Sequence, residues 1–369
     1  MKNKIQFLTL TISLLLFFAN ISKLHCQENT TIGGYGELHY NEPNGTAKGN
    51  LDFHRFVLYI GHAFNDKLSF KSEIEIEHTK IEAGSPDGGE VAIEQAYLDW
   101  HFSDNIGLRA GILLPPIGII NQIHEPPTFN GVERPNVDRY IIPSTWRESG
   151  FGIYGNIEEG IKYQLYVTAG LKAEGFSGSA GIRGGRQEAL ESSPTNPSFS
   201  GRIDYVPTSD LKFGGSFFAG NTTQGDSALG SGMLSLVSGD VQYTLERLSL
   251  RAVGVFESIS DAQKINAAFN SGVADQIYGF YIEGAYNIMP FLSSECEYTL
   301  SPFVRYEKYN THAKVAGFAA NPTYDRNEVT LGATLKPTYN TAFKIDYQFL
   351  NNAADVNTKQ FNIGIGYSF

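Results

Sequence analysis

The segment 361–369 sets Phe361, Ile363, Ile365, Tyr367 and Phe369 against Asn362, Gly364, Gly366 and Ser368 in strict alternation. A period of two puts every apolar side chain on one face of an extended strand, whereas a helix would scatter the same set around its circumference. The pattern recurs in 341–350, where Phe343, Ile345, Tyr347 and Phe349 oppose Lys344, Asp346 and Gln348. It recurs again in 67–79 (Leu68, Phe70, Ile74, Ile76 against Lys71, Glu73, Glu75, Glu77) and in 105–113 around Arg109. A soluble sandwich also alternates, but its strands average about 5–6 residues. Many of these runs last about 9–12 residues, the length that crosses a bilayer at a tilt.

The connections alternate as well. Short polar turns such as Asn65-Asp66-Lys67, Ser103-Asp104-Asn105 and Thr208-Ser209-Asp210 are interleaved with longer loops near 41–49, 81–88, 171–197, 221–231, 260–274, 309–323 and 351–358. Short turns on one rim and long loops on the other are the layout of an outer-membrane barrel. About sixteen alternating segments can be counted, from 31–40 to 359–369, an even number that fits a closed all-β, antiparallel transmembrane barrel. A barrel of that size encloses a water-filled channel, whereas one of about eight strands is filled by its own side chains.

Composition agrees. Hydrophobic residues are 41% and aromatics 13% of the chain, too polar for a bundle of membrane helices and suited to strands with one apolar face. The net charge of −11 excludes the basic surface that nucleic acid requires. At the start, Lys2 and Lys4 precede an apolar run from Phe7 to Ala19, which reads as a secretory signal occupying 1–26, with the barrel in 27–369. Lipid attachment at Cys26 is the weaker alternative, because His25 stands where a small residue is wanted. After cleavage only Cys296 remains, so no internal disulfide is expected.

One segment breaks the rhythm. Residues 114–149 carry Pro115, Pro116, Pro126, Pro127, Pro135 and Pro143 and end on Trp146-Arg147-Glu148-Ser149. Connections this long are uncommon unless functional. Placed after the fifth strand, this one is expected to fold inward as a third loop that narrows the bore. Its charged residues Glu133, Arg134, Asp138, Arg139, Arg147 and Glu148 are then candidates for the constriction.

If apolar side chains face lipid, the opposite parity lines the pore: Arg55, Lys71, Glu73, Glu75, Arg109, Arg202, Arg251 and Arg305 among others. Cations and carboxylates are equally represented there, so the wall can carry a transverse field or simply pair its charges internally. An arginine column would attract phosphate or carboxylate through its planar fork. The Glu73, Glu75, Glu77 ladder could hold Ca²⁺, but a solvated face paired to cations is the simpler expectation, and no metal or cofactor is expected. Gly33-Gly34-Tyr35-Gly36 lies within a strand and is not a nucleotide loop.

Several short stretches resemble the phosphate-selective porin O and P family: Gly107-Leu108-Arg109-Ala110-Gly111, the following Pro115, Pro116 and Gly118, Ile142-Pro143-Ser144-Thr145-Trp146-Arg147-Glu148-Ser149-Gly150, and Gly181-Ile182-Arg183-Gly184-Gly185-Arg186-Gln187. The terminal Tyr367-Ser368-Phe369 is similar too and looks like the signal read by the outer-membrane assembly machinery. The resemblance implies a 16-stranded barrel in the outer membrane of a Gram-negative bacterium, in contact with outer-membrane lipid. It also implies a homotrimer and passive diffusion of small hydrophilic solutes, often anionic. The segment 114–149 departs from a phosphate filter, because Arg134, Arg139 and Arg147 are matched by Glu125, Glu133, Asp138 and Glu148. The expected function is a porin and not an enzyme. A non-conducting adhesin or scaffold is the alternative, with a barrel hydrolase behind it.

Overall fold

The computed structural model describes residues 29–44, 48–78 and 89–369, so the segment read as a signal peptide lies outside it. Sixteen antiparallel strands close into one barrel, each hydrogen-bonded to its neighbours in sequence and β1 to β16. They are β1 (Thr30–Pro43), β2 (Asn50–Ala63), β3 (Leu68–Glu77), β4 (Val91–Ser103), β5 (Ile106–Leu113), β6 (Glu148–Glu158), β7 (Ile161–Ala169) and β8 (Pro197–Thr208). The circuit continues with β9 (Leu211–Asn221), β10 (Met233–Leu245), β11 (Leu248–Ile259), β12 (Gln276–Tyr286), β13 (Thr299–Lys314), β14 (Asp325–Thr338), β15 (Thr341–Asn352) and β16 (Asn357–Ser368). Every alternating segment of the sequence is a strand here.

The largest difference in bounds is at β13: alternation in the sequence marks a segment over 296–308, and the strand spans Thr299–Lys314. The chain before it turns instead through a one-turn helix, Met289–Leu292. The Asn287 side chain accepts from the amides of Met289 and Leu300, both at 3.1 Å, and so fixes where the next strand begins. Among the described residues no helix is long and apolar enough to cross a membrane.

Leu98, Phe151, Ile203, Val237, Ile282 and Ile345 stand outward, each about half exposed (46–56%). An apolar belt of this extent is untenable in water and matches the lipid-facing band of an outer-membrane barrel. The seam is closed by Phe369, whose amide donates to the Gly34 carbonyl at 2.9 Å while the Gly34 amide donates back at 3.0 Å. A Cβ on Gly34 would lie 2.2 Å from the Val57 carbonyl oxygen, which accounts for the glycine there.

The rule that apolar side chains face lipid fails on one sector. Phe218, Leu234, Leu236, Val253, Val255, Ile277 and Tyr281, on β9 to β12, are buried inside the barrel toward its long-loop rim. They pack against Ile117, Val137, Ile141, Ile142 and Trp146 of the loop after β5, against Leu171, Phe176 and Ile182 of the loop after β7, and against Ile265 of a short helix, Ala262–Phe269. These strands are apolar on both faces because both faces are covered, by lipid outside and by folded-in loops inside. Each such side chain contributes roughly 1.5–3 kcal/mol to holding the loops on the wall.

Candidate functional site: the lumen crossing

The inward loop runs from 114 to 147 and is clamped at its base by Asn121. That side chain donates to the carbonyls of Pro115 (2.8 Å) and Trp146 (3.1 Å) and accepts from the Trp146 amide (2.8 Å). From there the loop crosses the lumen and touches the wall on nearly every side. Tyr59 on β2 donates to Glu125 at 3.2 Å, Asn130 donates to Glu283 on β12 at 3.0 Å, and Arg305 on β13 donates to the carbonyls of Asn130 and Glu133. Carboxylates of the wall receive the loop's amides: Val132 N meets Asp346 at 2.6 Å and Val137 N meets Glu307 at 3.0 Å. Beside β15, β16 offers glycine where the loop comes close. A Cβ on Gly366 would sit 2.2 Å from Pro126 Cβ, and one on Gly364 2.9 Å from Val132.

The wall arginines named from sequence parity are paired with carboxylates. Arg55 lies between Glu37 (2.6 Å) and Glu75 (2.8 Å), with Glu77 at 3.6 Å. Arg109 and Lys71 share Asp99, and the Arg109 guanidinium also lies 4.1 Å from the centre of the Tyr154 ring. Arg202 joins Asp204 and Asp240, Arg251 meets Glu283 at 3.5 Å, and Arg305 meets Glu283 and Glu307. The supposed Glu73–Glu77 ladder is split, since Glu75 and Glu77 serve Arg55 while Glu73 accepts from Gln95 at 2.7 Å. These charges hold the wall; they do not form a cationic column.

The loop residues divide differently. Glu133 accepts from Asn41 (3.0 Å) and faces His39 (3.2 Å); burial would raise its pKa, but the His39 contacts lower it to about 2. Asp138 is fully buried, and neither carboxylate oxygen has a hydrogen-bond partner among the described residues. Burial, reinforced by Glu307 and Asp240 against Tyr281 and Arg305, raises its pKa to about 7. Arg134 donates only to the His124 carbonyl, and Arg139 lies over the Tyr140 ring; neither meets a carboxylate among the described residues. Arg147 and Glu148 are corrections. Arg147 turns to Glu188 and Glu90 at the loop's base. Glu148 belongs to β6, because the β5–β6 ladder extends to the pair Leu113 and Glu148, and its carboxylate accepts from Trp146 and the Gln187 amide.

Two β-bulges bring in residues that alternation concealed. The β1–β2 register jumps from Glu37–Arg55 to Leu38–Phe53, leaving His54 as the extra residue. The β3–β4 register jumps from Glu73–Gln95 to Ile74–Ile93, leaving Glu94. An extra residue lets two consecutive side chains share a face, so His54 joins Arg55, and Glu94 joins Gln95, inside the barrel. A carboxylate at a lipid-facing parity in mid-strand was the available signal for Glu94, since charge there is destabilising by up to a few kcal/mol.

Above the loop lies a vestibule of about 520 Å³ lined by His39, Asp52, His54, His78 and Glu133 on one side and by Arg139, Tyr140 and Arg326 on the other. Below it, a smaller space of about 200 Å³ adds Glu37 and Glu77 against Arg134 and Arg183. Among the described residues Arg183 donates only to the carbonyls of Arg139 and Ser144. Burial, and then the charges of Arg186, Arg139 and Arg134, lower its pKa to about 9, so it stays charged at neutral pH. A basic flank thus faces an acidic and histidine-rich one. Toward the short-turn rim, cavities of about 370 Å³ and 280 Å³ flank Glu73, His124 and Arg109. Among the described residues these share no lining residue with the vestibule. Tyr35, Val57 and Glu94, each at 0% exposure, lie buried in the wall at this level.

No family model matches the chain. Its fold is that of known outer-membrane porins and channels. It aligns with OmpF of Salmonella typhi, solved with daunomycin, at TM-score 0.63 and 12% identity over 94% of this chain and 99% of that one. It aligns with the outer-membrane channel DcaP of Acinetobacter baumannii at 0.60 and 11% identity over 92% and 97%. It aligns with the trimer form of OmpT, an outer membrane protein of Vibrio cholerae, at 0.55 and 11% identity over 92% and 99%. These likenesses, at 11–12% identity, show the outer-membrane barrel fold. Sequence gives a nearer kinship: at 39% identity over 334 residues, 87% of this chain and 76% of the relative, the chain belongs to one family with an uncharacterized protein of Aquifex aeolicus (strain VF5).

Proposed function

We propose that this chain is an outer-membrane porin, not an enzyme, through which small hydrophilic solutes, phosphate-like anions included, diffuse passively under the control of loop 114–147. The observation that carries the reading is the vestibule together with the smaller space next to it: Arg134, Arg139, Arg183 and Arg326 line the two without carboxylate partners among the described residues, opposite Glu133, Glu77 and Asp52. Opposed walls of unlike sign orient dipolar solutes, and unpaired guanidinium groups attract anions. A homotrimer is proposed by analogy with the trimer form of the Vibrio cholerae neighbour, and the 57% exposed Phe369 is proposed as the contact for the assembly machinery.

The many contacts between the crossing loop and the wall support a second reading, a closed barrel that serves as an adhesin or scaffold. The reversal potential of the mature protein in a planar bilayer under a KCl gradient decides between them. Conductance in steps of three with anion preference is expected. A folded barrel that passes no current overturns the porin reading in favour of the closed one.

A further inference from the structure

Glu73 on β3, Glu94 on β4 and His124 on the crossing loop bring two carboxylate oxygens and a ring nitrogen within 4.8 Å of one another, all three side chains buried. His124 Nε2 stands 3.5 Å from Glu73 Oε1 and 3.2 Å from Glu94 Oε2. Ligands at about 2.0–2.2 Å from a tetrahedral zinc ion are themselves separated by about 3.3–3.6 Å. The other ring nitrogen, Nδ1, lies 3.0 Å from the Asn121 carbonyl and donates its proton there. That hydrogen bond aims the Nε2 lone pair at two carboxylates, the arrangement by which a backbone carbonyl orients a metal-binding histidine.

A proton on Nε2 does not complete the cluster. Among the described residues Glu73 Oε1 and Glu94 Oε1 have no hydrogen-bond partner. Neither does the hydroxyl of Tyr35, which is 0% exposed and whose ring meets the His124 imidazole edge-on at 6.1 Å. Two ionised carboxylates with an imidazolium sum to −1 unless one carboxyl keeps a proton, whereas two carboxylates with a neutral imidazole and a divalent ion sum to zero with both ionised, and buried charge left uncompensated is unfavourable. Of the nearby cations, Arg55 is held by Glu37 and Glu75, and Arg134 donates to the His124 carbonyl without meeting either carboxylate of the cluster. Calcium wants six to eight oxygens; one imidazole and two carboxylates suit a first-row transition ion.

We propose that Glu73, Glu94 and His124 bind one divalent transition ion, zinc by its ligand chemistry, which pins the crossing loop to the barrel wall. The cavity of about 370 Å³ that Glu73 and His124 line supplies the entry path and room for a water as fourth ligand. Gln95, donating to Glu73 Oε2 at 2.7 Å, holds that carboxylate from behind. The proposal stands apart from the pore reading, since a pinned loop serves a closed barrel equally well.

The test is metal content of the purified full-length barrel after chelation, reloading with ZnCl₂ and dialysis, with folding checked by heat-modifiable gel migration. One zinc per chain is expected, lost in Glu94→Gln and in His124→Ala and retained in His78→Ala, which alters the second cluster of Asp52, His54 and His78. Gln95→Ala is expected to weaken binding about 10–100-fold. Zinc absent from the wild type, equal in wild type and Glu94→Gln, or lost only in His78→Ala overturns the proposal. Should both ligand variants fail to fold, the wild type loaded with Co²⁺ decides without them: a tetrahedral visible spectrum supports the site, and its absence refutes it.

Discussion

At the scale of single residues, Asp138 makes the docking of the crossing loop sensitive to pH. Its carboxyl is buried against Tyr281 on β12, Arg305 and Glu307 on β13 and Asp240 on β10, and its pKa is raised to about 7 from an ordinary value near 3.8, mainly by burial. The docked loop therefore keeps a proton that an undocked loop releases. The contribution to docking is complete below pH ~4 and is lost as pH rises through ~7. Conductance is expected to increase between pH 5 and pH 8 in the wild type, and Asp138→Asn should stay at the low level throughout. A variant with the wild-type slope would place the titration on another group. Little of this was visible in the sequence, where Asp138 was one charged residue among several; its lack of a partner arises from packing that only the folded loop creates. Arg147 and Glu148, named in the same group, turned out to be held at the loop's base for the same reason.

At the scale of elements, the strands were legible and the loops were not. Alternation names a strand because its period is local, and all sixteen segments were found from it. A bulge keeps the alternation on each side and merely shifts its phase, so His54 and Glu94 passed as outward residues. The apolar inner faces of β10 and β11 were illegible for another reason: a residue such as Leu236 or Val253 looks the same whether lipid or a folded loop covers it. Trp146 tests that inner packing. It is fully buried, with its ring centre 4.6 Å from that of Phe218 on β9. Trp146→Ala should remove roughly 3–5 kcal/mol of loop docking while leaving the strand ladder intact. Hydrogen exchange would then speed up across 114–147 and not in the strands; unchanged protection of the loop would refute its docking on the wall.

At the scale of the whole molecule, three of the four arginines at the constriction without carboxylate partners among the described residues, Arg134, Arg139 and Arg183, belong to the loops, and Arg326 of β14 joins them from the wall. Arg109 is neutralised by Asp99, so Arg109→Glu should leave the sign of the reversal potential unchanged. Replacing both Arg139 and Arg183 by Glu should move it toward cation preference, and the shift should fade at high salt, since screening shortens from ~10 Å at 0.1 M to ~3 Å at 1 M. A larger cut follows from the same geometry. The crossing loop reaches β2, β12, β13, β15 and β16 in turn, with a cavity on either side of it. Deleting 118–140 should therefore join the upper and lower cavities and raise single-channel conductance several-fold, while the strand ladder, which does not pass through the loop, continues to form. A deleted barrel that folds and conducts no better than the wild type would mean that the path through the lumen lies elsewhere than beneath this loop.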